Sequence, residues 1–234
     1  MEKREKLYEG KAKIIYSTDN PDLVIQYFKD DATAFNAAKR GTVDEKGIMN
    51  NKISAKIFEY LQPAGIPTHF EKVLSDREML IKKVSIVPVE VIIRNRAAGS
   101  LSRLLGLPEG MELKSTVLEF CFKRDDLNDP LINEYHIAAL GLATPEEVEA
   151  IKKYTLKVNE LLSKFFLKLN LELIDFKLEF GRYKGKIILA DEISPDTCRL
   201  WEVGTGKKLD KDRFRHDMGN IKEAYQEVLS RVSK

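Results

Sequence analysis

One ten-residue segment, residues 171–180, limits the possible folds more than any other part of the chain. Apolar and charged side chains alternate along it, with Ile174, Phe176, Leu178 and Phe180 in one set and Asp175, Lys177 and Glu179 in the other. Successive side chains of a β-strand point to opposite faces of the sheet, so this pattern predicts a strand with one apolar and one charged face. The chain must therefore build a sheet that has a core on one side and charges on the other.

A long amphipathic helix is predicted immediately before this strand. Thr144 and Glu147 form a capping-box pattern around a proline at the first helical position. Apolar residues then recur at helical spacing over residues 148–169. Similar apolar stripes predict further helices at residues 48–61 and 220–234.

The first third of the chain is mainly β in character. Short runs that favour strands occur at residues 7–8, 14–16, 23–28, 68–74 and 79–84. Residues 30–47 mix small, polar and charged side chains, and we expect a loop there. The chain is therefore of the α+β class. No Gly/Ser-rich linker occurs near residue 84, so we expect two lobes of one compact unit: a β-rich N-terminal lobe, residues 1–84, and an α+β C-terminal lobe, residues 85–234.

The charge balance and the cysteine content exclude several classes of protein. Among 234 residues, 39 are Lys or Arg and 37 are Asp or Glu, so the net charge is +2. That balance indicates neither nucleic acid nor an anionic membrane as the main partner. Cys121 and Cys198 form neither a disulfide framework nor a zinc motif, and no apolar run reaches the roughly 18 residues that span a bilayer. We expect a cytoplasmic protein.

The charged face of residues 171–180 has two interpretations. The commoner one is a solvated sheet surface. The return strand, however, adds two carboxylates: a three-residue hairpin loop at residues 184–186 would place Asp191 beside Glu179, whereas a two-residue loop would bring Glu192 there. The single glycine of the loop favours the three-residue form, so we expect Asp191. Carboxylates that flank a lysine suit one or two Mg²⁺ ions bridging phosphate groups.

Two other segments are suited to binding anions. Residues 9–13, Glu-Gly-Lys-Ala-Lys, place one glycine before two lysines that would point the same way along a strand, although a lone glycine between strands is usually only a turn. Residues 90–103 run from an apolar strand through Arg94 and Arg96 to Ser100, a candidate N-cap of a short helix. The second segment fits a phosphomonoester or carboxylate site; the alternative is a charged strand end followed by a capped helix.

Two of these motifs together resemble the signature segments of the SAICAR synthetase family. The first is Pro88-x-Glu90-x3-Arg94-x4-Gly99-Ser100, and the second is the run Leu-Ile-Asp-Phe-Lys-Leu-Glu-Phe-Gly at residues 173–181. The likeness covers nearly the whole chain, because the family's other segments follow in order at residues 7–13, 49–52, 128–130, 191–201 and 210–215.

The resemblance implies a fold and a reaction. The fold would be an ATP-grasp-like, kinase-like one with two lobes and the nucleotide in the cleft between them. The reaction would join L-aspartate to the carboxylate of 4-carboxy-5-aminoimidazole ribonucleotide (CAIR) through an acyl phosphate, giving the succinocarboxamide SAICAR, ADP and phosphate in purine biosynthesis. The implied cofactor is Mg²⁺, with ATP as co-substrate.

The resemblance also implies roles for individual positions. The nucleotide phosphates would be held by Gly10, Lys11, Ala12 and Lys13. Metal ions would be bound by Glu179, Asp191 and Asp129, the last near the substrate carboxylate. The 5′-phosphate of CAIR would be bound by Arg94, Ser100 and Arg199, and the reacting centre would be lined by Glu90, Asp175 and Lys177. Asn36 stands where many members have an acidic residue, so no carboxylate role is carried over to it.

L-Aspartate carries two carboxylates and needs a cationic pocket of its own. The candidates are Arg215 and Lys211, within a basic segment, residues 207–215, that would otherwise read as solvated surface. We expect ATP, CAIR and L-aspartate as partners and a homo-oligomer, with a dimer favoured.

Two rival functions differ in what they require. A kinase-like phosphotransferase would turn over ATP without L-aspartate. A nucleotide-sensing or RNA-binding module would need a basic stripe with exposed aromatic residues, and the charge balance disfavours it.

Overall fold

A computed structural model describes residues 2–34 and 38–234. The strands in these residues are β1 (Lys3–Glu9), β2 (Lys13–Thr18), β3 (Leu23–Phe28), β4 (Asp31–Ala34), β5 (Lys39–Thr42), β6 (Phe70–Ser75), β7 (Glu78–Lys82), β8 (Ser85–Arg96), β9 (Glu112–Phe122), β10 (Leu131–Ile132), β11 (Leu171–Tyr183), β12 (Lys186–Ala190) and β13 (Cys198–Glu202). The α-helices are α1 (Lys46–Leu61), α2 (Gly99–Leu105), α3 (Glu134–Ala139), α4 (Pro145–Lys168), α5 (Asp212–Arg215) and α6 (Ile221–Val232). The predicted mixture of helices and sheets is confirmed.

Five strands from the first part of the chain form one antiparallel sheet, in the order β1-β2-β3-β7-β6. The edge strand β1 is exposed along its whole length and is rich in charged residues, which disfavour pairing with further strands at an open edge. The turn from β1 to β2 contains Gly10, whose backbone N–H donates to the carbonyl of Lys13 at 2.9 Å. This turn brings the predicted phosphate-binding residues to one end of the sheet.

The second sheet has the order β10-β9-β8-β11-β12, and β13 pairs with the first half of β11. The β8–β11 register sets Asp175 opposite Arg94 and Glu179 opposite Glu90. Residues directly opposite each other share a face of an antiparallel sheet. The two signature segments therefore present their charged side chains on one common surface.

The other face of this sheet is packed into the core. Val91, Ile93, Phe176 and Leu178 are buried there, and α4 packs against β11. One continuous core also takes in α1 and α6, which contact each other. Within residues 2–34 and 38–234, no helix has both the length and the apolar character needed to cross a membrane.

The predicted loop at residues 30–47 is wrong. Strands β4 and β5 form an antiparallel hairpin there, and α1 begins at Lys46. Ala32 and Ala34 of this hairpin pack against Val43 and Phe214 in a small separate core. The contact with Phe214 joins segments distant in sequence, so local composition gave no sign of it.

The predicted three-residue hairpin loop is also wrong. Tyr183 pairs with Lys186, which leaves a two-residue loop at Lys184 and Gly185. Both have positive φ, 49° and 75°, as a type I′ turn requires. The lysine in a left-handed conformation concealed this turn, because glycine, asparagine or aspartate is the usual signal at that position.

Candidate active site

A cleft of about 1150 Å³ lies where the two sheets meet and is lined by residues from both. Arg96, offered with Arg94 as an anion ligand, does not line this cleft, and its Nε donates to Glu172 at 2.6 Å. The other residues with a predicted role all line it: Gly10, Lys11, Ala12, Lys13, Glu90, Arg94, Ser100, Asp129, Asp175, Lys177, Glu179, Asp191, Arg199, Lys211 and Arg215. The structure thus brings them together in one place, and their individual roles stay predictions. Asn36 lies outside the described residues.

One group of these side chains forms what we call the lysine–carboxylate cluster: Lys13, Glu90, Lys123, Lys177, Glu179, Asp191 and Glu192. Lys177 Nζ donates to Glu90 Oε1 and to Glu179 Oε1, each at 2.7 Å. Lys123 Nζ donates to the same Glu179 oxygen at 2.9 Å. Glu179 is only 4% exposed, so the predicted charged face is not a solvated surface but is covered by neighbouring parts of the fold.

Asp191 and Glu192 both reach the cluster through one lysine. Lys13 Nζ donates to the Asp191 carboxylate and lies 3.0 Å from Glu192 Oε1. Strand β12 ends at Ala190, and Asp191 has a left-handed φ of 60°. This change of backbone direction ends the strict alternation of side chains. Both carboxylates contact Lys13, and the negative charge of Asp191 also acts on Glu179. The choice of Asp191 over Glu192 beside Glu179 stays a prediction.

Two carboxylates of this cluster, Glu179 and Asp191, are ionised at neutral pH. Burial alone would raise the pKa of Glu179, but Lys177 and Lys123 hold it below its usual range. Burial alone would also raise the pKa of Asp191, but Lys13 and Lys177 outweigh burial and hold this pKa well below its usual range. Burial would lower the pKa of Lys177, but Glu179 and Glu90 raise it well above normal, so this lysine stays protonated.

A magnesium ion fits this donor set only together with other oxygen ligands. No group of three or more His, Cys, Asp or Glu side chains in the described residues is arranged to hold a metal by itself. Mg²⁺ is, however, commonly bound by one or two carboxylates together with substrate phosphates and water, and Glu179 and Asp191 supply two ionised carboxylates. Asp129 lines the same cleft, and its Oδ1 accepts the backbone N–H of Arg124 at 2.8 Å.

The second group is a chain of alternating charges, which we call the arginine ladder: Arg94, Asp175, Arg199, Asp212 and Arg215. Asp175 Oδ2 accepts from Arg94 Nη1 at 2.9 Å and from Arg199 Nη1 at 2.7 Å. Asp212 accepts from Arg199 Nε at 2.8 Å and from Arg215 Nη1 at 2.6 Å. Each carboxylate of the ladder thus joins two arginines.

Arg94 is the most buried arginine of the ladder, at 2% exposure. Its Nε donates to Glu119 at 2.8 Å and its Nη2 donates to Ser100 Oγ at 2.7 Å. The expectation that Ser100 caps α2 is wrong, because Ala98 is the N-cap residue and Ser100 lies within the helix. Gly99 has a φ of 55°, and a Cβ on it would lie 2.3 Å from Arg199 Nη2, so only glycine fits there.

The two lysines of the β1–β2 turn do not act as the expected parallel pair. Lys11 precedes β2, and its Nζ donates to Asp125 Oδ1 at 2.8 Å. Lys13 is the first residue of β2 and contacts Asp191. Both lysines therefore connect the first sheet to the segment after residue 84, and they do so at different points of the cleft.

Several cleft residues were missed from the sequence. Lys123 follows β9 directly, at the start of what reads as an acidic loop. Asp196 Oδ2 accepts from buried Lys46 at 2.6 Å, and Asp196 Oδ1 accepts from Tyr225 at 2.6 Å. Burial lowers the pKa of neighbouring Lys211. These contacts join α1, the loop after β12 and α6, and no local pattern links those three segments.

The sequence is similar to those of known enzymes along its whole length, and this similarity shows the class of protein. The chain is 62% identical to the phosphoribosylaminoimidazole-succinocarboxamide synthase of Clostridium novyi, over 100% of this chain and 99% of that protein. A relative at this identity over the full length places the chain among the ligases, and the chain is an enzyme. The family model described as SAICAR synthetase matches residues 6–232, and the chain belongs to the SAICAR synthetase family.

Solved structures agree with this assignment. The phosphoribosylaminoimidazole-succinocarboxamide synthase from Ehrlichia chaffeensis superposes with a TM-score of 0.96 at 49% identity, covering 98% of each chain. A SAICAR synthetase in complex with ADP superposes with a TM-score of 0.93 at 46% identity, covering 96% of each chain. The mixed α/β fold is therefore the fold of these enzymes.

Proposed function

We propose that this protein joins L-aspartate to the carboxylate of CAIR, with conversion of ATP to ADP and phosphate, and so forms SAICAR. The observation that carries this proposal is one cleft that holds two separate charge systems, the lysine–carboxylate cluster and the arginine ladder. A ligation of this kind needs both: one region for phosphoryl transfer and one for anchoring an anionic substrate. Membership of the SAICAR synthetase family supports the same reaction.

The reaction requires activation, because a carboxylate is a poor electrophile. We infer two steps. A carboxylate oxygen of CAIR attacks the γ-phosphorus of ATP and forms an acyl phosphate, and ADP leaves. The amine of L-aspartate then attacks the acyl carbon, the C–O bond breaks, and the amide and inorganic phosphate are released with the loss of an amine proton. Phosphoryl transfer of this kind depends on positioning and on stabilising negative charge.

The lysine–carboxylate cluster is the proposed place of phosphoryl transfer. Glu179 and Asp191 would hold Mg²⁺, which when bound neutralises negative charge on the nucleotide phosphates. Lys177 stays protonated and places its charge next to Glu90 and Glu179, where it would stabilise the transferring phosphoryl group. The Gly10–Lys13 turn would bind the nucleotide phosphates from the opposite side, and the ADP complex of the relative agrees with nucleotide binding.

The arginine ladder is the proposed anchor for the anionic substrates. Arg199 and the hydroxyl of Ser100 would bind the 5′-phosphate of CAIR. Arg94 would hold Ser100 in place through its hydrogen bond and would also bind the phosphate. Asp175 would keep Arg94 and Arg199 side by side. Arg215 and Lys211, which line the same cleft, would bind the carboxylates of L-aspartate.

The two sheets are the proposed lobes of an ATP-grasp-like, kinase-like fold, with residues 1–84 and 85–234 as the N- and C-terminal lobes. The support is that the five strands of the first sheet lie before residue 84 and the strands of the second lie after it. ATP bound between the sheets would contact both, so its binding would favour closure of the cleft.

The test is release of ADP by the purified chain, with each component omitted in turn. We expect sustained release of ADP, over many turnovers, only when ATP, Mg²⁺, CAIR and L-aspartate are all present. ADP release that is independent of L-aspartate would instead indicate a kinase-like phosphotransferase, and no release at all would indicate a nucleotide-binding module.

CAIR labelled with ¹⁸O in its carboxylate tests the intermediate, because an acyl phosphate must transfer one labelled oxygen to inorganic phosphate. Light scattering would test the expected dimer.

A further inference from the structure

Asp212 is the one carboxylate of the arginine ladder that does not line the cleft. It begins the short helix α5, and its side chain is 1% exposed. Its Oδ2 accepts from Arg199 Nε at 2.8 Å, and its Oδ1 accepts from Arg215 Nη1 at 2.6 Å. Both arginines line the cleft. Asp212 therefore contacts the site only through them.

The contacts of Asp212 fix the direction of Arg199. The Nε edge of this guanidinium is bound to Asp212 and its Nη1 is bound to Asp175, so the planar group is held from two sides. Arg215 uses only Nη1 in its bond to the same carboxylate. Loss of Asp212 would leave Arg199 with one carboxylate partner and would free Arg215 from this contact.

Asp212 is fully ionised at neutral pH, whereas its neighbour Asp210 holds its proton more tightly. Burial alone would raise the pKa of Asp212, but Arg199 and Arg215 lower it to about 2. Burial and the charge of Asp212 raise the pKa of Asp210 to about 7. Asp210 accepts hydrogen bonds from the backbone N–H groups of Leu200 and Asp212 and contacts neither arginine. Of the two acids, Asp212 is the one suited to orient cations.

From this geometry we infer that Asp212 is a positioning residue, which aligns Arg199 and Arg215 so that one can bind the 5′-phosphate of CAIR and the other a carboxylate of L-aspartate. The inference rests on the proposed function for the identity of the two ligands. The orientation of the arginines by Asp212 stands on the contacts alone. Asp212 accepts one charge-assisted hydrogen bond from each arginine, and both bonds weaken when this shared acceptor loses its charge.

The first experiment is Asp212→Asn, which keeps the size of the side chain and removes its charge. We expect the KM values for CAIR and for L-aspartate each to rise about tenfold, the size of one lost charge-assisted hydrogen bond, while the KM for ATP and the kcat stay unchanged. Glu202→Gln is the matched control. Glu202 lies on the same strand as Arg199, pairs with Arg231, and does not line the cleft. The KM values of the Glu202→Gln variant should therefore equal those of the wild type.

Two kinetic results would overturn the inference. One is an Asp212→Asn variant with normal KM values for both CAIR and L-aspartate. The other is a uniform fall of activity that follows the folded fraction, with all three KM values unchanged, because that pattern belongs to a merely structural residue. Asp212→Glu keeps the charge on a longer side chain, and it should restore part of the lost affinity.

A second measurement does not depend on activity. In arginine-labelled protein the Arg199 Nε–H, assigned by its absence in Arg199→Lys, should exchange slowly with water in the wild type and rapidly in Asp212→Asn. Equal exchange rates in the two proteins would overturn the positioning role. If the wild-type chain fails to join CAIR and L-aspartate, the proposed function fails, and the exchange rates still decide whether Asp212 holds Arg199.

Discussion

The lysine–carboxylate cluster and the arginine ladder line one cleft, yet they are held together differently. In the cluster each contact ends at an ammonium group on a flexible stem: Lys177 lies between Glu90 and Glu179, and Lys13 lies between Asp191 and Glu192. In the ladder planar guanidinium groups are held by carboxylates that each join two arginines, as Asp175 joins Arg94 and Arg199.

This difference indicates which region changes during the reaction. A lysine is a mobile point charge with rotatable donors, so its partners can be exchanged when phosphates and a metal enter. An arginine fork bound on two edges is fixed before the ligand arrives. We therefore expect substitutions in the cluster to lower kcat and substitutions in the ladder to raise the KM of the anchored substrate.

The largest expected effect is that of Lys177→Ala. We expect kcat to fall by at least about 10²-fold, because the variant loses the charge that would stabilise the transferring phosphoryl group. The circular dichroism spectrum should stay that of a folded protein. Lys164→Ala is the control, since Lys164 forms an exposed pair with Glu160 on α4. Near-normal turnover by the Lys177 variant would reduce the cluster to a structural ion-pair network.

The next effect is on the requirement for Mg²⁺. We expect Glu179→Gln to raise the Mg²⁺ concentration for half-maximal activity by about 10–100-fold, because a neutral amide is a weaker ligand than a carboxylate. Activity is measured against free Mg²⁺ at fixed ATP, with Glu160→Gln as the exposed control. An unchanged Mg²⁺ dependence would show that Glu179 is not a metal ligand.

A smaller effect is expected for Ser100→Ala, since the Ser100 hydroxyl accepts a hydrogen bond from Arg94 of the ladder. Removing this hydroxyl takes away one contact to a charged phosphate, worth about 1.5–3 kcal/mol, and so raises the KM for CAIR at least about tenfold. The KM for ATP should not change. This variant is preferable to Arg94→Ala, which would remove an ion-pair partner from both Glu119 and the buried Asp175 and so disturb the ladder itself. A rise in the KM for ATP alone would contradict the division of the cleft into two regions.

The sequence predicts those parts of the fold that carry local signals. Alternation along β11 gave the strand and its charged face, and the capping box of Thr144 and Glu147 gave the start of α4, which the structure confirms. The candidate site residues were named because two long segments resemble a known family, and the structure shows that they line one cleft. The hairpin register failed because a lysine, Lys184, occupies a left-handed position where glycine, asparagine or aspartate would be the usual signal.

The missed features depend on contacts between distant segments. Asp212 lies in a basic stretch that reads as solvated surface, and only the approach of β13 and α5 shows that it is buried between two arginines. The burial of Glu179 has the same origin, since the pattern of one strand does not reveal what covers it. Sequence alone therefore located the charges but could not predict their pairing.

The last expected effect is on stability and leaves activity aside, and its pH dependence has opposite signs in the two regions. Asp191 of the cluster has a lowered pKa, so its contribution to stability is lost as the pH falls. Asp210, behind the ladder, has a pKa raised to about 7 by burial and by Asp212. Between about pH 4 and pH 7 the native state then holds a proton that the unfolded chain releases, because an unperturbed aspartate has a pKa of about 3.9.

This proton makes the free energy of unfolding fall as the pH rises, by at most about 1.4 kcal/mol per pH unit. Asp210→Asn removes the titrating group, so we expect the variant to lose less stability than the wild type between pH 5 and pH 8. Urea denaturation at both pH values measures this difference, and the comparison within each protein cancels any pH-independent cost of the substitution. If both proteins lose the same stability over this interval, Asp210 is ionised in the native state, and the negative charge behind the ladder is shared by both acids instead of resting on Asp212.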